Sequence, residues 1–294
     1  KTYAAKGRPS DNPLIVHIAD YEQLKKIAVN IPPETDILAA HFWPGPLTMI
    51  FEKSALVPYG TTGGLDTVAV RMPVDPVAQV LIRAAGGFVS APRANTSGRP
   101  SPTTARHVEE DLSGKIDMIL DGGTVDIGLE STILDMTVSP PMILRPGAIT
   151  AEMFEKVIGQ VDVDKTLLSE ESTQAPKAPG MKYRHYAPKA KLIMVEGDLR
   201  EEILAIRQIS YEADRKGKPI GIIATSETLP FYNHGIVKNI GTRENEKTIA
   251  RNLYSILREF DEENVDTIYS ESFAVQGIGS AIMNRLEKAA GHLR

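Results

Sequence analysis

The chain has 294 residues, of which 42% are hydrophobic, and its formal net charge is −5 at pH 7. This length is enough for two domains with ordinary cores, and the acidic balance argues against a protein that mainly coats nucleic acid, although a local basic groove stays possible. The chain has no cysteine, which excludes disulfides, thiolate zinc sites and a cysteine nucleophile. No apolar run is long enough to cross a bilayer and no signal-peptide pattern is present, so we expect a cytoplasmic protein.

The first distinctive segment is polar and runs from Lys6 to Leu14, after a short stretch that reads as the last turns of a helix. It places Lys6, Arg8 and Asn12 among Gly and Pro residues, which shape the backbone into turns. This combination fits an anion cradle. Residues of this kind are more often a solvated turn, however, so the segment by itself leaves both interpretations open.

Helical and β-rich patterns alternate through the first half of the chain. Helices are predicted from Asp20 to Asn30, Pro76 to Ala85, Thr103 to Leu112 and Ala151 to Ile158. Short β-rich or apolar runs occupy 47–52, 68–72, 88–91, 116–120, 132–136 and 142–144. Because many of these runs follow one another without a long helical crossover, we predict an α/β domain with a twisted, mixed sheet.

Two arginines in or beside apolar runs are the strongest candidates for function in this half. Arg71 lies in the run Val68–Met72, and Arg145 follows the run 142–144, directly before Pro146. Because an unpaired guanidinium is costly to bury, each is predicted to lie at the end of a strand and to face a polar cavity or ligand. Loops 90–98 and 122–132 add hydroxyls and backbone amides, a donor set that suits polyphosphates and carboxylates.

The pattern weakens between Asp162 and Lys191, which makes this stretch the best linker candidate. Within it, residues 179–188 hold two tyrosines and several basic groups, more than a plain spacer needs. A connector packed on the surface is the alternative. We therefore predict domains at 1–162 and 191–294, joined by a linker at 163–190.

The second half alternates strands and helices more simply. Strands are predicted at 192–195, 220–224 and 267–269, and helices at 199–216, 243–260 and 282–290. This order predicts a small, parallel, Rossmann-like sheet. The turn Gly277–Ser280 lacks the context of a dinucleotide fingerprint and is interpreted as the entry to a helix.

Five motifs follow one another along the chain. They are Lys6 to His17, Asp66 to Pro73, the loop Ala91-Pro92-x-Ala94-Asn95-x-Ser97-Gly98, Gly128-x-Glu130-Ser131-Thr132 and Leu144-Arg145-Pro146-Gly147. In this order they closely resemble the threonylcarbamoyl-AMP synthase (YrdC/YwlC) family. Residues 179–188 and the C-terminal part resemble the long form of that family. The resemblance implies a YrdC-like catalytic domain, a linker that covers the active site, and a smaller Rossmann-like domain.

The resemblance also implies a nucleotidyltransferase reaction in which L-threonine, bicarbonate and ATP give threonylcarbamoyl-adenylate and pyrophosphate. The product serves the N6-threonylcarbamoyl modification of tRNA. Because an oxygen of carboxylated threonine attacks the α-phosphorus, positioning and charge neutralisation are needed and a side-chain nucleophile is not. Mg²⁺ is expected with ATP, held largely by phosphate and water. The expected partners are the downstream tRNA threonylcarbamoyl-transfer machinery and, transiently, tRNA, but no membrane.

Residue roles follow from the matching positions. The resemblance implies ATP binding for Lys6, Arg8, Asn12, Thr67, Asn95, Ser101, Arg145 and Tyr186. Among these residues, it implies that Lys6 and Arg8 are catalytic cations. It implies threonine binding for His17, Arg71 and Ser131, and assigns no residue to a metal. A guanidinium such as that of Arg71 is suited to clamp a carboxylate. Tyr186 belongs to the segment expected to exclude water from a fragile carbamate and adenylate.

Two departures from the family pattern bear on these expectations. Arg93 stands where the family has a serine, so the role of that serine is not carried over; the guanidinium either binds phosphate or carboxylate, or obstructs the pocket. The family also has roughly fifty residues upstream of the position of Lys1, including a strand that forms part of the threonine pocket. We expect impaired folding and little synthesis if the polypeptide begins at Lys1, and normal activity if those residues are present.

The main alternative is an RNA-binding module or RNA-linked regulator without catalysis. It predicts binding that weakens steeply with salt, whereas a synthase depends on threonine and bicarbonate. Only 6% of the residues are aromatic, which disfavours recognition of single strands by stacking. A non-catalytic interaction protein would leave Arg71 and Arg145 unexplained.

Overall fold

The computed structural model describes residues 1–164 and 186–291. These residues form two compact units. The first comprises 1–96, 108–123 and 130–164, and the second comprises 97–107, 124–129 and 186–291. The domain boundaries at 162 and 191 stay predictions, because most of the predicted linker lies outside the described residues.

The first unit contains an eight-stranded mixed sheet, which confirms the predicted α/β fold. Its strands are β1 (Ile15–Ile18), β2 (Ala28–Val29), β3 (Leu47–Lys53), β4 (Thr67–Arg71), β5 (Phe88–Ala91), β6 (Thr132–Asp135), β7 (Met142–Arg145) and β8 (Asp162–Val163). Their order is β5-β1-β4-β3-β6-β7-β8, with β2 paired to β3. The pairs β1·β4, β3·β6 and β7·β8 are parallel and the other pairs are antiparallel.

Seven helices precede residue 164. They are α1 (Thr2–Lys6), α2 (Leu24–Ile27), α3 (Glu34–Phe42), α4 (Tyr59–Thr62), α5 (Pro76–Ala84), α6 (Ala105–Leu112) and α7 (Ala151–Ile158). The predicted helix from Asp20 to Asn30 is wrong, because it contains only a 3₁₀ turn and the short α2 before the chain enters β2. Backbone pairing of Ala28 and Val29 with β3 outweighs the helical pattern there. The apolar run 116–120 forms neither a helix nor a strand.

One face of the large sheet carries the main apolar core. Side chains alternate between the two faces of a strand, so Val16, Val68, Val70, Met49 and Phe51 all point to this face and are buried. Helices α3 and α7 contact each other through the ring pair Phe42–Phe154, whose centroids lie 5.5 Å apart. The intervening strand residues point to the opposite face, which the core does not occupy.

Helix α5 exposes apolar side chains that its sequence pattern would place against a core. Asp75 caps its N-terminus by accepting a hydrogen bond from the backbone N of Ala78 at 2.7 Å. The apolar positions Val77, Val80 and Leu81 are nevertheless 41%, 66% and 46% exposed. Among the described residues, this apolar side of the helix is therefore a surface.

The second unit contains a four-stranded sheet in which every pairing is parallel, as predicted. Its strands are β9 (Lys191–Met194), β10 (Gly221–Ala224), β11 (Ile236–Asn239) and β12 (Thr267–Ser270), in the order β11-β10-β12-β9. Its helices are α8 (Leu199–Arg215), α9 (Glu246–Asp261) and α10 (Gly277–Ala290). Strand β11 was not predicted, whereas α10 begins at Gly277, as the helix-entry interpretation requires. Across 1–164 and 186–291, no helix has the length and apolar character needed to span a membrane.

Candidate active site

A row of side chains crosses five strands of the large sheet at one level. His17 on β1 pairs with Arg71 on β4, Arg71 pairs with Thr48 on β3, Thr48 pairs with Ile133 on β6, and Ile133 pairs with Arg145 on β7. Residues that pair across strands share one face of a sheet. We call His17, Arg71, Thr48 and Arg145 the polar row. Residues from four distant parts of the chain thus come together on the face opposite the main core.

An apolar row lies beside the polar row. Ile15, Ala69 and Ile50 occupy the paired positions two residues away, and they pack in a small cluster with Ile133 and Leu144. Apolar surroundings lower the local dielectric constant and strengthen electrostatic interactions with the neighbouring cations. This face of the sheet therefore places positively charged side chains beside a row of apolar side chains.

Arg71 keeps part of its guanidinium available for a ligand. Its Nε donates to the carbonyl oxygen of Gly45 at 3.0 Å, and its two terminal nitrogens donate to no described residue. A Cβ at position 45 would lie 2.4 Å from the carbonyl oxygen of Phe42, so only glycine fits in this loop. Burial lowers the pKa of Arg71, but a guanidinium remains cationic at neutral pH. The two terminal nitrogens form a fork suited to a carboxylate.

His17 lies beside Arg71 in the polar row. Its Nδ1 is buried and has no hydrogen-bond partner among the described residues. Burial, and then the positive charge of Arg71, lower the pKa of His17 to about 4. The imidazole is therefore neutral at pH 7 and carries one hydrogen-bond donor and one acceptor.

The last two motifs of the sequence meet at Arg145. The buried Arg145 donates to the carbonyl oxygen of Ser131 from Nε at 3.1 Å and from Nη2 at 2.9 Å, and Nη2 also lies 3.1 Å from Ser131 Oγ. Ser131 Oγ lies 2.7 Å from Thr48 Oγ1. A Cβ on Gly147 would lie 2.5 Å from the backbone N of Thr132, so this glycine permits the close approach of the two motifs.

Three polar side chains of the opening segment are buried, since Lys6, Arg8 and Asn12 are 5%, 9% and 1% exposed. The residues between them include exposed turn positions, so the interpretation as a solvated turn is wrong for these three side chains only. Arg8 Nη2 donates to Asn12 Oδ1 at 2.6 Å and to the carbonyl oxygen of Pro13 at 2.9 Å. These bonds fold the segment 8–13 around the guanidinium.

Lys6 and Asn95 come together from two different motifs. The Lys6 ammonium donates to the carbonyl oxygens of Arg93 and Asn95, and Nζ lies 3.5 Å from Asn95 Oδ1. Burial lowers the pKa of Lys6 to about 7, and the positive charges of Arg93 and Arg8 act in the same direction. An added anion near Nζ would favour the protonated form.

Arg93, the departure from the family pattern, forms an ion pair. Its Nη1 lies 2.8 Å from Glu130 Oε1, and the two side chains are 21% and 7% exposed. Glu130 directly precedes Ser131 in the chain. The two possible effects of this arginine on the pocket, ligand binding or obstruction, stay predictions.

The structure does not bring all predicted site residues to the polar row. Thr67 lies at the start of β4, four residues from Arg71 along the strand. Ser101 and Tyr186 belong to the second unit, where Tyr186 packs against Tyr254 with ring centroids 5.2 Å apart. Of the segment 179–188, which the resemblance places in the linker over the active site, residues 179–185 lie outside the described residues. The roles assigned to these residues stay predictions.

Thr48 is a member of the polar row that was not predicted from the sequence. A threonine in a β-rich run carries no functional signal by itself, and only the strand register places it between Arg71 and Arg145.

Among residues 1–164 and 186–291, no group of three or more His, Asp or Glu side chains could hold a metal ion.

Two family models together match almost the whole chain. The Sua5_yciO_yrdC family, described as "Telomere recombination", matches residues 1–147. The Sua5_C family, described as "Threonylcarbamoyl-AMP synthase, C-terminal domain", matches residues 149–291. All five sequence motifs lie within the first match.

Curated relatives and a solved structure give the same result. Threonylcarbamoyl-AMP synthase of Pyrococcus abyssi is 47% identical over 99% of this chain and 84% of its own length. The enzyme of the same name from Bacillus subtilis is 48% identical over 99% of this chain and 83% of its own length. The crystal structure of P. abyssi Sua5 complexed with L-threonine has a TM-score of 0.92 and covers 99% of this chain and 83% of that one. By sequence and by fold, this chain belongs to the threonylcarbamoyl-AMP synthase family.

Proposed function

We propose that this protein synthesises threonylcarbamoyl-AMP and pyrophosphate from L-threonine, bicarbonate and ATP. The observation that carries the proposal is the match to a threonine-bound relative over 99% of the chain with a TM-score of 0.92. The cations and hydroxyls on one face of the large sheet are the donors that a carboxylate and a triphosphate need. The alternative of an RNA-binding module receives no support from relatives that carry the name of a synthase.

The amino-acid end of the site is assigned to His17, Arg71 and Ser131. The free fork of Arg71 suits the carboxylate of threonine, because two parallel N–H donors match its two oxygens. The neutral imidazole of His17 suits the amino group, since it adds no positive charge beside an amine. Ser131 supplies a hydroxyl that contacts Arg145 and Thr48, and Thr48 is the neighbour of Arg71 in the polar row.

The nucleotide end is assigned to Lys6, Arg8, Asn12, Asn95 and Arg145. Lys6 and Arg8 bring positive charge from one motif, and Arg145 brings it from another. Binding a triphosphate beside Lys6 would raise its pKa again and keep it charged. Thr67, Ser101 and Tyr186 complete the proposed set of ATP contacts.

The chemistry needs no nucleophilic side chain. The amino group of threonine is first carboxylated by bicarbonate, with loss of water, to give a carbamate. An oxygen of the carbamate then attacks the α-phosphorus of ATP, the bond to the β-phosphate oxygen breaks, and pyrophosphate leaves. Positive groups aimed at the phosphates stabilise the charge that develops in this step. Mg²⁺ is proposed to accompany ATP, held by phosphate oxygens and water, and supplies further charge neutralisation.

The adenylate is a reactive product that a further enzyme must consume. We propose that it passes to the machinery that forms N6-threonylcarbamoyladenosine in tRNA, with at most transient contact to tRNA itself. Because that modification acts on tRNA, we place the protein in the cytoplasm. A lid that excludes water would protect the product until transfer.

The test is an assay with ATP, Mg²⁺, bicarbonate and L-threonine. We expect pyrophosphate and threonylcarbamoyl-adenylate in equal amounts, and neither product when threonine or bicarbonate is omitted. The adenylate is identified by its mass. Pyrophosphate release that is unchanged without threonine would contradict the proposal. A parallel titration with single-stranded RNA at increasing salt tests the alternative.

A further inference from the structure

We infer that Thr48 is a positioning residue that fixes the hydroxyl of Ser131 as a hydrogen-bond donor to an oxygen of the bound amino acid. This inference rests on the proposed synthase function. Thr48 is absent from the set of residues predicted from the sequence, because nothing in the sequence distinguishes it from an ordinary strand residue.

Thr48 is central to the polar row and completely buried. It pairs with Arg71 on one side and with Ile133 on the other. Its exposed fraction is 0%, and the only hydrogen bond of its hydroxyl to a described residue is the 2.7 Å contact with Ser131 Oγ. An interior strand position of this kind would normally hold an apolar side chain. A buried hydroxyl with one partner therefore indicates a role for that partnership.

The direction of the Thr48–Ser131 hydrogen bond follows from what each buried group needs. Leaving a buried O–H proton without an acceptor is costly, whereas an oxygen with an unused lone pair is tolerated more easily. The only acceptor available to the Thr48 proton among the described residues is Ser131 Oγ. Either hydroxyl could donate in the contact itself, because Ser131 is buried as well. With a ligand beside Ser131, both protons find an acceptor only when Thr48 donates to Ser131 and Ser131 donates to a ligand oxygen, so Thr48 is the donor in the bound state.

Arg145 fills the second acceptor position of the same oxygen. Its Nη2 lies 3.1 Å from Ser131 Oγ, and a guanidinium can only donate. A hydroxyl oxygen has two lone pairs and one proton, so donors from Thr48 and Arg145 leave the Ser131 proton as its remaining hydrogen-bonding function. Ser131 then cannot accept a hydrogen bond from an ammonium group and must donate to an acceptor oxygen.

This polarity determines how an amino acid lies in the site. Ser131 Oγ contacts the hydroxyl of Thr48. The neighbour of Thr48 in the polar row is Arg71, whose two terminal nitrogens donate to no described residue. Two sets of donors on either side of Thr48 favour the carboxylate of threonine at this place and disfavour its amino group. Thr48 acts through Ser131 and does not itself touch the substrate.

The test compares binding of L-threonine, by calorimetry on the whole protein, with the Michaelis constants for threonine and ATP. Thr48→Val removes the hydroxyl but keeps the shape, and we expect it to weaken threonine binding about tenfold. The Michaelis constant for ATP should change by less than about threefold. Thr48→Ser restores the hydroxyl and should restore threonine binding. Thr48→Ala serves as a second hydroxyl-free variant if valine prevents folding.

Thr35 offers a matched control for the substitution. It is buried in α3 with an exposed fraction of 0%, and its Oγ1 has no hydrogen-bond partner among the described residues. Thr35→Val therefore removes a buried hydroxyl without breaking a hydrogen bond. We expect threonine binding equal to that of the unmodified protein.

A double-mutant cycle tests whether Thr48 acts through Ser131. Thr48→Val should add little to the loss caused by Ser131→Ala, because the partner is already absent. Additive losses, an unchanged affinity in Thr48→Val, or equal losses for threonine and ATP would each overturn the inference. If the unmodified protein neither binds threonine nor makes the adenylate, the proposed function itself fails, which is a different outcome.

Discussion

Arg71 in the first unit and Arg243 in the second unit are held differently. The described hydrogen-bond partner of Arg71 is a neutral oxygen, the backbone carbonyl of Gly45. In the second unit, Arg243 lies 2.7 Å from the carboxylate of Glu271, which is fully buried. A carboxylate cancels the charge of a guanidinium, whereas a neutral oxygen only orients it. We therefore expect Arg71 to serve a ligand and Arg243 to serve the fold.

The difference has an energetic consequence. Neutral oxygens compensate only part of the cost of desolvating a cation, so an anion that binds beside Arg71 should stabilise its guanidinium. Substitutions in the polar row should therefore change substrate constants, and substitutions in the ion pair of the second unit should change stability.

The largest expected effect is that of Arg71→Met. This change removes the fork proposed for the threonine carboxylate, and we expect kcat/KM for threonine to fall by about a hundredfold or more. Binding of ATP, measured by calorimetry, should weaken far less. Arg83→Met is the control, because Arg83 forms an exposed pair with Asp20 at 3.1 Å and should be almost neutral. Equal losses for threonine and ATP would contradict the assignment of Arg71.

Arg243→Met should instead act on stability. It leaves Glu271 buried without its cation, and we expect the free energy of unfolding to fall by about 3 kcal/mol. Urea unfolding followed by circular dichroism measures this change. The activity per folded molecule should stay the same. Adding Glu271→Gln should recover part of the stability, because the neutral amide does not need a counterion. A double variant that is less stable than Arg243→Met alone would contradict this view of the pair.

Elements could be predicted where the local pattern agrees with the contacts of the folded chain, whereas β1, β2, β8 and β11 were not predicted as strands. Strands β3, β4 and β7 are apolar, β-rich runs whose local pattern agrees with their final pairing. The helix predicted for 20–30 was wrong because Ala28 and Val29 adopt the strand conformation only through pairing with β3. A local sequence pattern does not contain that contact. Helix α3 was missed for a related reason, since Leu38 and Ala39 give it only a narrow buried side.

Residues of the candidate site could be predicted from the sequence where they conflict with their local surroundings. Arg71 and Arg145 stand out because a guanidinium is unexpected in or beside an apolar run. Thr48 does not conflict with a strand, and its place in the row follows only from the register of three strands. The pairing of Arg93 with Glu130 joins positions 37 residues apart and could not be read from either motif alone.

A smaller effect is expected from pH. Lys6, with a pKa lowered to about 7 by burial and neighbouring arginines, is mainly protonated at pH 6 and mainly neutral at pH 8. If ATP binds the protonated form, its dissociation constant should rise by about tenfold across this range. Calorimetric titration at several pH values measures it. Lys6→Arg should remove most of the dependence, because arginine stays charged. A flat profile in the unmodified protein would show that Lys6 does not hold the triphosphate.

The smallest effect concerns Arg93 and refines the same comparison. Arg93 is a cation of the first unit that does have a carboxylate partner, Glu130, yet its charge still acts on Lys6. Arg93→Ser removes that positive charge and leaves Glu130 negative, so both changes raise the pKa of Lys6 and move the fall in ATP affinity to higher pH. Arg93→Lys keeps the charge and should leave the midpoint in place. An unmoved midpoint in Arg93→Ser would mean that burial and Arg8 lower the pKa of Lys6 without help from Arg93, and that Glu130 cancels the charge of Arg93 as Glu271 cancels that of Arg243.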